Sequence, residues 1–226
     1  MTNRVPSTAS ALLTIMGVTW RRLSRGRAMW VAGVIACAPF LFATVTHNIE
    51  PVRAVLTLVM CLLPPIFVAS AIGEEIEDRT STYLWSRPLP RWTLLVGKLL
   101  ALAPIATALL VLGWLLATKI GIGIMPPGRS MLAFAAGGLA ISAVSAGIGT
   151  IVPRHGMALS IVYFIVIDLP VGWIPAAVHS ISVTRQVRLI SGHDDPAAIG
   201  EPLITLAVIA ALWLAIGLLR LRRLEA

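Results

Sequence analysis

Charge is scarce in this chain: Asp, Glu, Lys and Arg together supply 12% of its 226 residues, while 58% are hydrophobic and the mean hydropathy is +0.89. Such a balance excludes an ordinary water-soluble globule and points to a polytopic membrane protein. Cysteine is limited to Cys37 and Cys61. Both lie in apolar stretches without C-x-x-C or other metal-ligand spacing, so they read as small packing residues. Histidine is limited to His47, His155, His179 and His193, scattered near the ends of apolar runs. There is no H-E-x-x-H and no G-x-S-x-G, so neither zinc-protease nor serine-hydrolase chemistry has a motif to stand on. His193-Asp194-Asp195 could bind a cation but reads as solvated loop, and no metal site is expected.

What the chain has in quantity is apolar runs long enough to cross a bilayer. A span needs about 20 residues, so the length accommodates about six spans with short connections and no separate soluble domain. The expected fold is all-α: one transmembrane domain over residues 1–226, with spans near 28–46, 52–72, 94–117, 131–152, 157–177 and 203–219. Residues 1–27 form a cytoplasmic or interfacial N-terminal segment. Its apolar stretch ends in Trp20-Arg21-Arg22 rather than a small-residue cleavage site, so signal-peptide removal is not expected. Leu12, Met16, Trp20 and Leu23 fall on one helical face and Arg21 and Arg25 on another, which suits a helix lying in the membrane interface with Trp20, Arg21, Arg22 and Arg25 as anchors.

Within the spans, Pro64-Pro65 predicts a kink, because each proline removes a backbone donor and crowds the preceding turn. Residues 119–130 read as a turn-rich connection. Gly138, Ser142, Ala146 and Thr150 recur every fourth residue in the fourth span, with Gly149 beside them, which predicts close helix packing. Asp168 is the one acid inside an apolar run, ahead of Pro170, Gly172 and Pro175. A charge at a helix centre costs about 2.5–3.5 kcal/mol on insertion scales, so Asp168 must face a cavity, a partner or the interface. It is a candidate intramembrane polar site, read here as structural or interfacial rather than as a substrate contact. The stretch 180–202 reads as a polar connection, and the last span as short.

Counting basic residues on alternate sides gives the orientation. Arg4, Arg21, Arg22, Arg25, Arg27, Arg79, Arg87, Arg91, Lys98, Arg154, Arg220, Arg222 and Arg223 share one side; Arg53, Lys119, Arg129, Arg185 and Arg188 share the other. The majority side is expected to be cytoplasmic, so in a multi-pass protein of the bacterial cytoplasmic membrane both termini would face the cytoplasm. The formal net charge of +8 is thereby a topology signal, with no need for a nucleic-acid partner.

One polar island interrupts the apolar chain on that side: residues 73–98, GEEIEDRTSTYLWSRPLPRWTLLVGK. Acids come first (Glu74, Glu75, Glu77, Asp78) and bases follow (Arg79, Arg87, Arg91, Lys98). That order complements a helix dipole and predicts a short helix near 74–85, with Ile76, Thr80, Tyr83 and Leu84 on one side. Arg87-Pro88-Leu89-Pro90 ends it. Trp92, Gly97 and Lys98 are then expected at interface depth as anchors of the third span.

These residues carry a resemblance. Glu77-Asp78-Arg79-Thr80-Ser81-Thr82-Tyr83-Leu84, then Arg87-Pro88-Leu89-Pro90-Arg91, then Leu95-Val96-Gly97-Lys98-Leu99-Leu100-Ala101 resemble the segment after the second span of ABC-2 type transporter permeases. That family's pattern is approximately E-x-E-x-G-T, two or three leucines, a P-[VL]-x-R turn, then L-x-G-K-x-L. Arg79 stands where glycine is usual, and Ser81-Thr82-Tyr83 is more polar than the usual leucines.

The resemblance implies a permease subunit of an ATP-driven exporter, whose loop between spans two and three is a coupling helix seated on a separate ATPase. Glu74, Glu75, Glu77, Asp78, Arg79, Thr80, Tyr83, Leu84, Arg87, Pro88 and Arg91 would make that contact. It further implies two ATPase subunits, which bind ATP and Mg, and a second permease copy or paralogue. The sequence has no G-x-x-x-x-G-K-[ST] loop: Lys98 is followed by Leu99. The chain is therefore expected to bind no nucleotide itself and to be no enzyme. Two other readings stay open: a haem-exporter-like or cofactor-maturation permease working on a periplasmic partner, and an intramembrane enzyme or non-transport scaffold.

Overall fold

The computed structural model describes residues 8–77, 92–174, 177–192 and 199–223. Among these all regular structure is helical, with no strand. An N-terminal helix α1 (Thr8–Arg25) leads into the first of six helices long and apolar enough to cross a membrane: α2 (Arg27–Thr46), α3 (Ile49–Gly73), α4 (Trp92–Ile122), α5 (Gly128–Ile151), α6 (Pro153–Val171) and, after a shorter helix α7 (Val183–Ser191), α8 (Gly200–Arg223).

The bundle is built around α5. This helix is buried along most of its length, and its small residues explain how. In a membrane the lipid is as apolar as the side chains, so association relies on close fit rather than on hydrophobic burial. A Cβ at Gly147 would lie 2.7 Å from the carbonyl of Trp213 on α8, and one at Gly138 would lie 3.0 Å from Leu110 on α4. Gly149 approaches Ala69 of α3 at 3.3 Å in the same sense. Two of its hydroxyls are satisfied inside the helix: Ser142 donates to the Gly138 carbonyl and Thr150 to that of Gly147, each at 2.7 Å. Gly138, Ser142 and Ala146 are all buried, on the face the four-residue spacing marks.

Prolines leave a different imprint. Pro64 and Pro65 carry no N–H, and the helix answers by widening into a π-turn over Pro65–Ala69 before resuming as Ser70–Glu77. The expected separate helix near 74–85 thus differs at its start: Glu74, Glu75 and Glu77 continue the third helix without a break. Two further π-turns close α4 (Ala117–Ile122) and run through α6 (Tyr163–Asp168).

Three sequence expectations are corrected. Lys119 belongs to the end of α4, because the helix runs on through a π-turn and stops only where Gly123 turns left-handed at φ 86°. The last span is not short: α8 has 24 residues, since Glu201 and the three terminal arginines lie on the helix rather than beyond it. The polar connection after α6 contains α7, a helix whose Val183, Val187 and Ile190 are buried in the bundle.

Candidate functional site

At the end of the bundle that flanks residues 78–91, three helices are locked together. Gly97 of α4 faces α1: a Cβ there would come 3.0 Å from Ile15, so α1 lies directly on the start of α4. One residue on, Lys98 is 2% exposed, and its ammonium donates to the carbonyl of Ala71 in α3. A carbonyl has two lone pairs and accepts this second bond beside its helical one. Hydrogen bonds from a charged donor contribute about 1.5–3 kcal/mol net of the water bonds they replace. Two residues beyond Ala71, Gly73 rests on the carbonyl of Pro153, with no space for a side chain. The α5–α6 turn is equally tight, since a Cβ on Gly156 would lie 2.8 Å from the Cα of Gly149.

The expectation that Gly97 and Lys98 anchor the span in the lipid interface is therefore revised. Both point inward, because the start of α4 is covered by α1 on one side and by α3 on the other. Trp92 is 39% exposed and Trp20 55% exposed, and Arg21 and Arg22 are exposed on α1. Arg25 is the last residue of α1. Asp78, Arg79, Thr80, Tyr83, Leu84, Arg87, Pro88 and Arg91 lie outside the described residues, as does His193-Asp194-Asp195.

At the opposite end, Asp168 holds α7. Its Oδ1 accepts from the backbone N–H of Val183 at 2.8 Å, and its Oδ2 from that of Thr184 at 2.9 Å. Ser182, the N-cap of α7, donates to the Asp168 backbone carbonyl at 3.0 Å and accepts from the N–H of Arg185 at 3.2 Å. The N–H groups that open a helix have no partner within it, and its positive dipole end favours an anion. The carboxylate supplies both. Two charge-assisted bonds, about 3–6 kcal/mol together, are enough to offset the roughly 2.5–3.5 kcal/mol cost of placing an acid in the apolar span. Asp168 is thus anchored to backbone, 3% exposed, at the junction of α6 and α7.

The other end of α7 is tied by bases. Arg129 Nε donates to the Ile190 carbonyl at 3.3 Å, where a cation complements the negative helix end. Arg188 donates to the Gly172 carbonyl at 2.6 Å and sits 4.2 Å over the Trp173 ring. Gly137 on α5 admits the helix, for a side chain there would run into Val187. The sequence carries a signal for α7 that its polarity obscures: Ser182 as cap, then Val183, Val187 and Ile190 at helical spacing.

Among the described residues no group of three or more His, Cys, Asp or Glu comes together as a metal site.

Six helices long and apolar enough to cross a membrane, packed around a small-residue central span, define a polytopic α-helical membrane protein. A family profile described as "ABC-2 family transporter protein" matches residues 52–219, and the chain belongs to that family: it is a permease subunit of an ABC transporter. No curated protein matches the chain.

Proposed function

We propose that the chain works as an exporter permease whose residues 73–98 receive the stroke of separate ATPase subunits, two per complex, in a membrane domain completed by a second permease copy or paralogue. In this reading the chain has no nucleotide site of its own, ATP and Mg are bound by the partner, and both termini face the cytoplasm of a bacterial cell. The observation that carries it is the Lys98 to Ala71 bond, beside the contact of Gly73 with Pro153. A coupling element must be rigid at its roots. With α3 and α4 joined there, and α3 seated on the α5–α6 turn, a push on residues 74–91 would be delivered to four spans together rather than absorbed at a flexible loop base. Glu74, Glu75, Glu77 and Asp78 would open the contact surface, with Arg79, Thr80, Tyr83 and Leu84 continuing it and Arg87, Pro88 and Arg91 framing its end.

The test is the double charge reversal Glu75→Lys with Glu77→Lys in the full complex. ATPase co-purification or stimulated turnover is expected to fall about tenfold or more, matching the 1–3 kcal/mol typical of coupling energies, while membrane insertion is unchanged. Normal association and turnover in that variant would sink the coupling assignment.

A further inference from the structure

Beside the Asp168 junction lies a cavity of about 300 Å³ between the start of α3, the end of α6 and α7, lined by Glu50, Arg53, Leu58, Leu169, Trp173 and Arg188 among others. We propose that it holds the phosphate head of a lipid with net negative charge, from the leaflet at that end of the bundle.

The charges favour an anion. Two arginines and a single carboxylate line the cavity, and Glu50 meets Arg53 at 3.5 Å as the i,i+3 pair of the first turns of α3. The nearby acid, Asp168, does not line the cavity; its oxygens accept from the N–H groups of Val183 and Thr184, at the positive dipole end of α7, which opposes its charge. Arg53 is largely shielded, with its side chain 15% exposed, so its charge acts in a medium that screens poorly. Arg188 is held in place by the Gly172 carbonyl and the Trp173 ring. An arginine fixed in this way presents a planar fork suited to phosphate oxygens.

Size and position favour a lipid-borne phosphate. The volume is that of about ten liquid water molecules at roughly 30 Å³ each, enough for a phosphate with its glycerol but not for two acyl chains. The chains must lie outside, and Leu58 and Trp173 at the cavity are 43% and 68% exposed, apolar surface at the depth where tryptophan and arginine mark the membrane interface.

The test uses the full chain, delipidated in a neutral detergent, and a tail-labelled dioleoyl-phosphatidylglycerol read by fluorescence anisotropy. Wild type is expected to bind it about tenfold more tightly than the phosphatidylcholine analogue. Arg53→Gln with Arg188→Gln should bring the two lipids within about twofold, while Arg185→Gln, on the same helix but away from the cavity, keeps the preference. Because Arg188 also holds Gly172, Arg53→Gln alone decides if the double variant elutes as misfolded, and it should lose about threefold. Equal binding of the two lipids by wild type, or an unchanged preference in Arg53→Gln, overturns the proposal. Displacement by free glycerol 3-phosphate as readily as by the lipid overturns the lipid source. No ATPase enters the assay, so its outcome is independent of the coupling reading.

Discussion

Lys98 donates its ammonium to the carbonyl of Ala71, joining two helices that the chain itself connects only through a long polar segment. The bond sits at the roots of that segment, where α3 ends and α4 begins. Replacing Lys98 with methionine keeps the length of the side chain and removes the donor. About 1.5–3 kcal/mol of stabilisation at this contact is expected to go, lowering the unfolding midpoint in detergent by several degrees. In the assembled transporter the same variant should lower stimulated ATP turnover more than it lowers ATPase association, because the lesion lies behind the docking surface. A variant that melts and turns over like wild type would show that the bond is dispensable.

Asp168→Ala strands two buried N–H groups, those of Val183 and Thr184, each of which costs about 1–3 kcal/mol when left unpaired. The expected result is local: α7 loosens while the six spans persist. Thiol labelling of Val187→Cys, a position 2% exposed, should accelerate about tenfold or more in the Asp168→Ala background with circular dichroism nearly unchanged. Equal labelling rates in the two backgrounds would mean that the bundle, not the acid, retains the helix.

Glycines on α5 and α2 should behave in opposite ways. Gly137→Val places a side chain against Val187 and Met60 and is expected to destabilise by about 1–3 kcal/mol, as overpacked cores do. Gly33→Ala meets nothing within 4 Å and should be neutral or mildly stabilising, since alanine is about 1 kcal/mol better than glycine in a helix interior. Thermal unfolding of the two variants in one detergent checks the contrast.

Trp114→Phe isolates one buried polar contact. The indole Nε1 donates to Ser130 Oγ at 2.9 Å, and that hydroxyl donates on to the Pro127 carbonyl at 2.7 Å, tying the end of α4 to the start of α5. The serine keeps its bond to Pro127 when the indole is lost, so the penalty should be near 1 kcal/mol from the bond plus the lost ring volume. A double-mutant cycle with Ser130→Ala separates the two: the coupling energy should be about 1 kcal/mol, and zero would mean that the Trp114 and Phe134 rings, with centroids 5.4 Å apart, carry the contact alone.

The spans were legible because crossing a bilayer demands about 20 apolar residues in register, and the chain has six such stretches. The small-residue stripe of Gly138, Ser142 and Ala146 was legible for a related reason, since close packing between helices in lipid needs small side chains at regular spacing. Gly97 and Lys98, which close the polar island, were recognisable as a pattern, yet their destination was not. Lysine near a span end ordinarily snorkels to the head groups, and only the presence of α1 and α3 on either side turns Lys98 inward. Helix α7 was hidden by composition, as Thr184, Arg185, Gln186 and Arg188 give a short segment the polarity of a loop.

By itself the sequence determined the solvent, the number of crossings and the family, because hydropathy and motif spacing are local properties that need no neighbours. Tertiary structure decided where the few polar groups go. Asp168 lies 15 residues from Val183 and 16 from Thr184 along the chain, and Lys98 lies 27 from Ala71. Such partners meet only once the helices are packed, and in an apolar medium where water cannot substitute for them, each buried charge is placed by whichever backbone group the bundle brings within reach.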